Sequence, residues 1–212
     1  MPLQNRIDPF GAIHAVPARG SLMGNRGIIH DPHTRTLLKK RWALKAWIIC
    51  VCDFRGVRRV PMGSNRVVDG ERRAGWTELF FLDEVTALAA GHRPCFFCRR
   101  ERATDFIGRF GAAYGIDEPR APALDDRLHK ERLASGGRAV PLGGQALAAL
   151  PDGAMISSKG KAYALREGTA LPWSFRGYGQ PVDPKGLADA ISITPATTLA
   201  VLRAGYRPAW AD

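Results

Sequence analysis

The 212-residue sequence has no apolar run approaching the roughly 20 residues that a membrane-spanning helix needs. Its opening, MPLQNRIDPFG, carries no apolar leader. Neither a membrane span nor export is expected, and the expected compartment is the cytoplasm. Cysteine is scarce, at four residues, too few for a disulfide framework in a chain of this size. In a reducing compartment four thiols read as free cysteines or metal ligands. Hydrophobic residues make up 45% and charged residues 24%. These ordinary values exclude wholesale disorder, collagen and coiled coil. A chain of this length can bury a core without cross-links.

What the sequence has in excess is positive charge. Lys and Arg number 31 against 20 Asp and Glu, a formal net charge of +11. The excess is uneven: residues 1–110 hold 19 basic and 10 acidic residues, together with all four cysteines and four of the five histidines. A basic half of this kind points to an anionic partner such as nucleic acid.

Local patterns suggest the elements. Residues 46–54 are rich in β-branched and aromatic side chains and read as a buried strand. A basic, turn-rich loop follows over 55–75, then a short strand or helix run-in over 76–82. Asp83 and Glu84 suit a helix N-terminus, and Gly91 suits its C-terminal stop. A second helix is expected from near Cys98 to about Phe110, a linker over 115–123, and a helix over 124–134. Residues 136–183 are dense in Gly and Pro, with strand-like runs at 153–157 and 161–166. A last helix is expected over 195–204. TALAAGHRP (86–94) echoes AVLRAGYRP (200–208), which shared helix-stop chemistry explains. The fold class is α+β: a basic metal-binding α/β module over residues 1–114, then a smaller β-rich subdomain with flanking helices over residues 124–212.

The cysteines form two pairs. Cys50-Val51-Cys52 lies on the expected strand, where alternation points both side chains to one face. Cys95-Phe96-Phe97-Cys98 follows a helix end. Four converging thiolates would make a closed structural zinc site. Strand neighbours two apart are spread by roughly 6–7 Å, so one of Cys50 and Cys52 could be a bystander, with His92 or His30 as fourth ligand. A redox dithiol competes, but that motif sits after a strand, and the residues before Cys95 read as a helix end.

The run Ala87-Leu88-Ala89-Ala90-Gly91-His92-Arg93-Pro94-Cys95, followed by Cys98 and Arg99, resembles the zinc-binding N-terminal domain of Ada-type DNA repair proteins. The resemblance spans about residues 46–105 and is sharpest over 86–99. It implies an Ada-like zinc module that sits on DNA and passes a methyl group from a backbone phosphotriester to a cysteine thiolate. Cys95 and Cys98 match the family's second ligand pair. The first pair departs, with one intervening residue where the family has three. The zinc role therefore carries over better than the acceptor role, for which a zinc-bound Cys50 thiolate is the candidate.

Arg55, Arg58, Arg59, Arg93, Arg99, Arg100 and Arg102 flank the cysteines and are the candidate phosphate contacts, guanidinium forks being suited to phosphate. Pairing with Asp53, Glu78, Asp83, Glu84 and Glu101 is the competing expectation. A second constellation is His30 and Asp31 in a Gly-rich loop, with Asp125 and His129 at i and i+4 on a helix. These four are the candidate catalytic residues of a metal-dependent nuclease or other hydrolase. Trp173, Phe175 and Tyr178 around Arg176 read either as a base-stacking loop or as a hydrophobic plug. The leading expectation is a zinc-binding protein that engages the DNA backbone, acting on damaged or modified DNA. The alternative is the hydrolase, with a purely structural zinc site.

Overall fold

The computed structural model describes residues 1–211. The chain begins with β1 (Arg6–Ile7), β2 (Ile13–His14) and β3 (Leu22–Asn25), then a short hairpin of β4 (His30–Asp31) and β5 (Thr36–Leu37). It returns as β6 (Ile48–Val51) and extends a second hairpin, β7 (Arg66–Val68) and β8 (Glu71–Arg73), before β9 (Leu79–Phe81). Helix α1 (Glu84–Ala89), strand β10 (Arg93–Pro94) and helices α2 (Arg100–Tyr114) and α3 (Ala121–Glu131) complete the first half. The second half holds β11 (Val140–Pro141), α4 (Gly144–Ala148), β12 (Met155–Ser158), β13 (Lys161–Arg166), β14 (Thr169–Ser174), β15 (Gly177–Tyr178), β16 (Ile191–Ser192) and α5 (Ala196–Arg203). The fold is α+β.

Two six-stranded sheets form the frame, in the orders β10-β6-β3-β9-β1-β2 and β11-β16-β12-β13-β14-β15. In the first, β6 pairs antiparallel with β3, Met23 opposite Cys50, and parallel with β10, Pro94 opposite Ile49. Gly24 sits on β3 between β6 and β9. Its Cα lies against the Ile48 carbonyl and the Phe81 ring, so any Cβ would collide.

The main core gathers Ile7, Ile29, Ile49, Leu79, Phe81, Leu88, Phe106, Phe110, Leu124 and Leu128 with Val201, Leu202 and Tyr206. Helix α5 therefore packs with the first sheet, although it follows the second in sequence. A further cluster joins Val85 and Ala89 of α1 to Met155, Ala164 and Ile193, so α1 also packs against the second sheet. Trp173 donates through Nε1 to Thr86 Oγ1 (2.9 Å), and the Tyr178 hydroxyl donates to Asp83 Oδ2 (2.8 Å). That aromatic loop plugs onto α1.

The echo between 86–94 and 200–208 is one capping motif used twice. His92 N donates to Ala87 O and Gly91 N to Leu88 O; Tyr206 N donates to Val201 O and Gly205 N to Leu202 O. Both glycines are left-handed, at φ 78° and 99°, as a Schellman stop requires.

The N-terminus of α1 is the polar hub. Asp83 caps the helix by accepting from Thr86 N at 2.8 Å. Glu84, fully buried, accepts from the Tyr206 hydroxyl (2.6 Å) and Ala209 N (2.9 Å) and pairs with Arg99 (3.0 Å) and Arg102 (2.6 Å). Burial alone would raise its pKa, but Arg99, the Tyr206 hydroxyl, the Ala209 amide and Arg102 together hold it below the usual carboxylate value of 4.5. Its folded-state pKa is thus depressed, so its stabilisation is present above about pH 4.5 and is lost as pH falls through the lower folded value. Glu84→Gln is expected to lower unfolding free energy by about 3–5 kcal/mol, because buried cations lose their partner. Urea titration from pH 7 to pH 3 should show a flatter acid limb in the variant; an unchanged limb would remove Glu84 from acid stability.

Candidate metal centre

Cys50 lies on β6, inside the first sheet. Cys95 follows β10, which lies alongside β6, and Cys95 N donates to Ile49 O at 2.9 Å. The chain then turns tightly, with Arg99 N donating to Cys95 O at 3.0 Å as α2 begins. This brings the sulfurs of Cys50, Cys95 and Cys98 within 4.8 Å of one another, close enough to hold one metal ion. Among the described residues no other group of three or more His, Cys, Asp or Glu side chains gathers in this way.

The surroundings favour ionised sulfur. Phe97 N points at Cys95 Sγ (3.4 Å), the Cys98 amide supports the same sulfur, and the Val51 amide supports Cys98. Hydrogen bonding from Cys50 is the largest influence on both knuckle thiols, drawing Cys95 down to about 5 and lowering Cys98, while Cys50 is pushed up as it keeps the proton. Without a cation, three sulfurs this close share protons. A metal ion would displace the last of them.

Cys52 does not join the cluster. Strand β6 ends at Val51, and the exposed Cys52 thiol faces the carbonyls of Ser21 (3.5 Å) and Gly20 (4.0 Å). The expected four-cysteine set is thus a three-cysteine set, because period-two spacing carries the second strand thiol too far along. Neither histidine replaces it. His92 is fully buried between Trp47 and Phe81, and its Nε2 accepts from Arg26 Nε (3.3 Å). Burial, then Arg26 and Arg132, hold it well below the usual imidazole value. His30 Nδ1 lies 2.6 Å from Thr77 Oγ1. That hydroxyl also accepts from Ile29 N (2.9 Å), so the ring is held on Thr77 and away from the cysteines. The C-x-x-C does follow a short strand and precede a helix, contrary to the expectation that set a redox dithiol aside. The third thiol of the cluster, Cys50, is what distinguishes it from a simple dithiol.

Beside the cluster lies a cavity of about 590 Å³. Besides the cysteines, its walls include Met23, Ile48, Phe54, Trp76, Phe80 and Phe97.

The arginines divide in two. Arg93 forms a buried two-point pair with Asp125 (2.9 and 2.8 Å), Arg99 and Arg102 pair with Glu84, and Arg59 pairs with Glu78 (2.7 Å) over the Trp76 ring. These four are not free phosphate contacts; together they neutralise three buried carboxylates, Asp125, Glu84 and Glu78. Arg55, Arg58 and Arg100 are exposed. The hairpin β7–β8 adds exposed Arg66, Arg72 and Arg73. Its sequence signal was Asp69-Gly70, both at positive φ (52° and 79°), the hairpin-turn pair between two short strand runs.

The candidate catalytic set does not assemble. Asp125 is held by Arg93. His129 lies against Trp42 (ring centroids 4.6 Å). Asp31 caps its own turn, accepting from His33 N (2.8 Å), and that bond lowers its pKa. His30 is buried on Thr77. The i, i+4 spacing holds on α3, but α3 turns its Asp125 side to β10 for ion pairing.

No protein-family model, curated protein or solved structure matches this chain.

Cys50→Ala, Cys95→Ala and Cys98→Ala are each expected to lose stoichiometric metal, whereas Cys52→Ala keeps it. Elemental analysis of the purified variants decides the matter; metal loss in Cys52→Ala would place the fourth thiol in the site.

Proposed function

We propose that this chain is a zinc-binding protein that engages nucleic acid, DNA foremost, through its phosphate backbone. The observation that carries this reading is the position of three converging thiols at the foot of an exposed basic loop and hairpin. Thiolate sets suit zinc, copper(I) or iron–sulfur clusters. A C-x-x-C knuckle closing on a neighbouring strand suits a single tetrahedral zinc. Such an ion ties β6 to the start of α2. It thereby fixes the loop carrying Arg55 and Arg58 relative to Arg100.

Exposed cations are the ones able to neutralise phosphates. Arg55, Arg58, Arg66, Arg72, Arg73 and Arg100 are all exposed, and the whole chain carries +11. The likeness of residues 86–99 to the Ada-type zinc domain supports the same partner. Of the three sulfurs, Cys98 is the least buried, so an incoming electrophile on damaged DNA would meet it before Cys50.

In fluorescence-anisotropy titrations, affinity for DNA should fall steeply between roughly 50 and 200 mM salt. The double variant Arg58→Glu/Arg66→Glu should bind more weakly on every sequence, with the salt slope reduced by about one for each phosphate no longer neutralised. Salt-independent binding, or no change in the double variant, would reject the proposal.

A further inference from the structure

Glu78 lines the cavity beside the thiols, but its carboxylate is taken by Arg59 Nε (2.7 Å), Asn65 Nδ2 (3.0 Å) and Met62 N (2.8 Å). Cys52 faces backbone carbonyls, and His30 and His92 are engaged elsewhere. Among the described residues no fourth donor joins Cys50, Cys95 and Cys98, so a tetrahedral ion there has its fourth position open to an outside ligand, the arrangement of ligand-accepting rather than closed sites. Three thiolates and a divalent cation sum to a net charge of −1, so a neutral donor suits the fourth position better than an anion.

The cavity that meets these sulfurs is within the range of small-molecule sites, and Phe54, Trp76, Phe80 and Phe97 put aromatic rings in its walls. Phe97 stands 75% exposed at its mouth, against Phe54 (ring centroids 5.2 Å), with the Arg55 guanidinium 5.1 Å from the Phe54 ring centroid. Exposed Val57 lines the same cavity, so that Phe97, Phe54 and Val57 make an apolar patch at its edge, the kind of feature that marks a binding surface. Asn25, 6% exposed, also lines the cavity. Its Oδ1 accepts from Gly27 N (3.1 Å), which leaves the amide nitrogen as a donor toward an occupant. Arg58 is exposed on the same wall. The root of the β7–β8 hairpin adjoins it: Gly75, next to Trp76, packs close to Arg59 and Arg66.

We propose that this cavity takes one unpaired base of a nucleic-acid strand, stacked on the Phe97–Phe54 wall and presented to the three-cysteine centre, while Arg55 and Arg58 hold the adjoining phosphates. A base is flat, neutral and rich in nitrogen and oxygen donors, which answers the aromatic walls, the Asn25 amide and the charge of the centre together. Bases stack on exposed aromatics without regard to sequence, and a base must leave the duplex to reach such a cavity. The inference rests on the nucleic-acid reading above and specifies which part of the strand is recognised.

The test uses the full chain loaded with cobalt(II), whose visible bands report the ligands around it. A short single strand and the matching duplex are titrated separately at low salt, following anisotropy and the cobalt bands together. The expected result is single-strand binding about tenfold tighter than duplex binding, with a band shift at saturation. Phe97→Ala should retain its metal, lose about tenfold affinity for the single strand, and leave duplex binding unchanged. Equal binding of both forms, with unmoved bands and a silent Phe97→Ala, would overturn the cavity proposal and leave phosphate binding standing. Failure to bind either form would overturn both.

Discussion

Three sulfur atoms within 4.8 Å of one another cannot all be thiolates unless a cation lies among them. Much of the first half of the chain is arranged to bring them there. Strand β6 supplies one sulfur from the sheet. The turn after strand β10 supplies the other two, placed by the pairing of β10 with β6 just downstream of the Schellman stop at Gly91. The Arg93–Asp125 pair pins β10 to α3, so the knuckle is held from both sides. Backbone amides aimed at Cys95 and Cys98 favour the ionised form at those sulfurs. The centre is thus a consequence of sheet order, not of one flexible loop.

Charge is the second constraint, and part of it works inward. Glu84, Glu78 and Asp125 are buried, and each takes an arginine with it. Arg26 and Arg132 go further. Both are buried with their guanidiniums over Trp47 (3.8 and 4.4 Å from the ring centroid), and carbonyls of Gly11, Gly91 and Lys45 accept their N–H groups. Burial, reinforced by like-charged neighbours, draws both down to about 9. A net charge counted from sequence therefore overstates the cationic surface. Of the outward-facing remainder, Arg55, Arg58, Arg66, Arg72 and Arg73 lie on the loop and hairpin beside the cavity, and the others are spread over the rest of the surface.

Much of this frame was legible in the residues. The strand holding Cys50, the Asp83 cap, the Gly91 stop and the helix after Cys98 follow from local chemistry that tertiary packing did not override. The C-x-x-C announced two of the three clustered thiols for the same reason, since its spacing fixes its geometry. Other features depend on long-range placement and leave no local trace. Nothing near Cys52 says that β6 ends one residue earlier. Nothing near Arg99 or Arg102 says that Glu84 lies beside them, because α1 reaches them only through the folded core. Asp125 and His129 do share a helix side, as their spacing requires, but only the packing of α3 on β10 shows that Arg93 holds the aspartate. The cavity is the least legible element, assembled from β3, β6, β9, the 54–61 loop and the knuckle.

Three thiols, not four, gather at the centre. Counting reactive thiols on the native protein, with and without one equivalent of zinc, tests it most directly. The expected result is one tightly bound ion per chain, three protected thiols, and one that reacts freely and maps to Cys52. Four protected thiols, or no protection on adding metal, would contradict it.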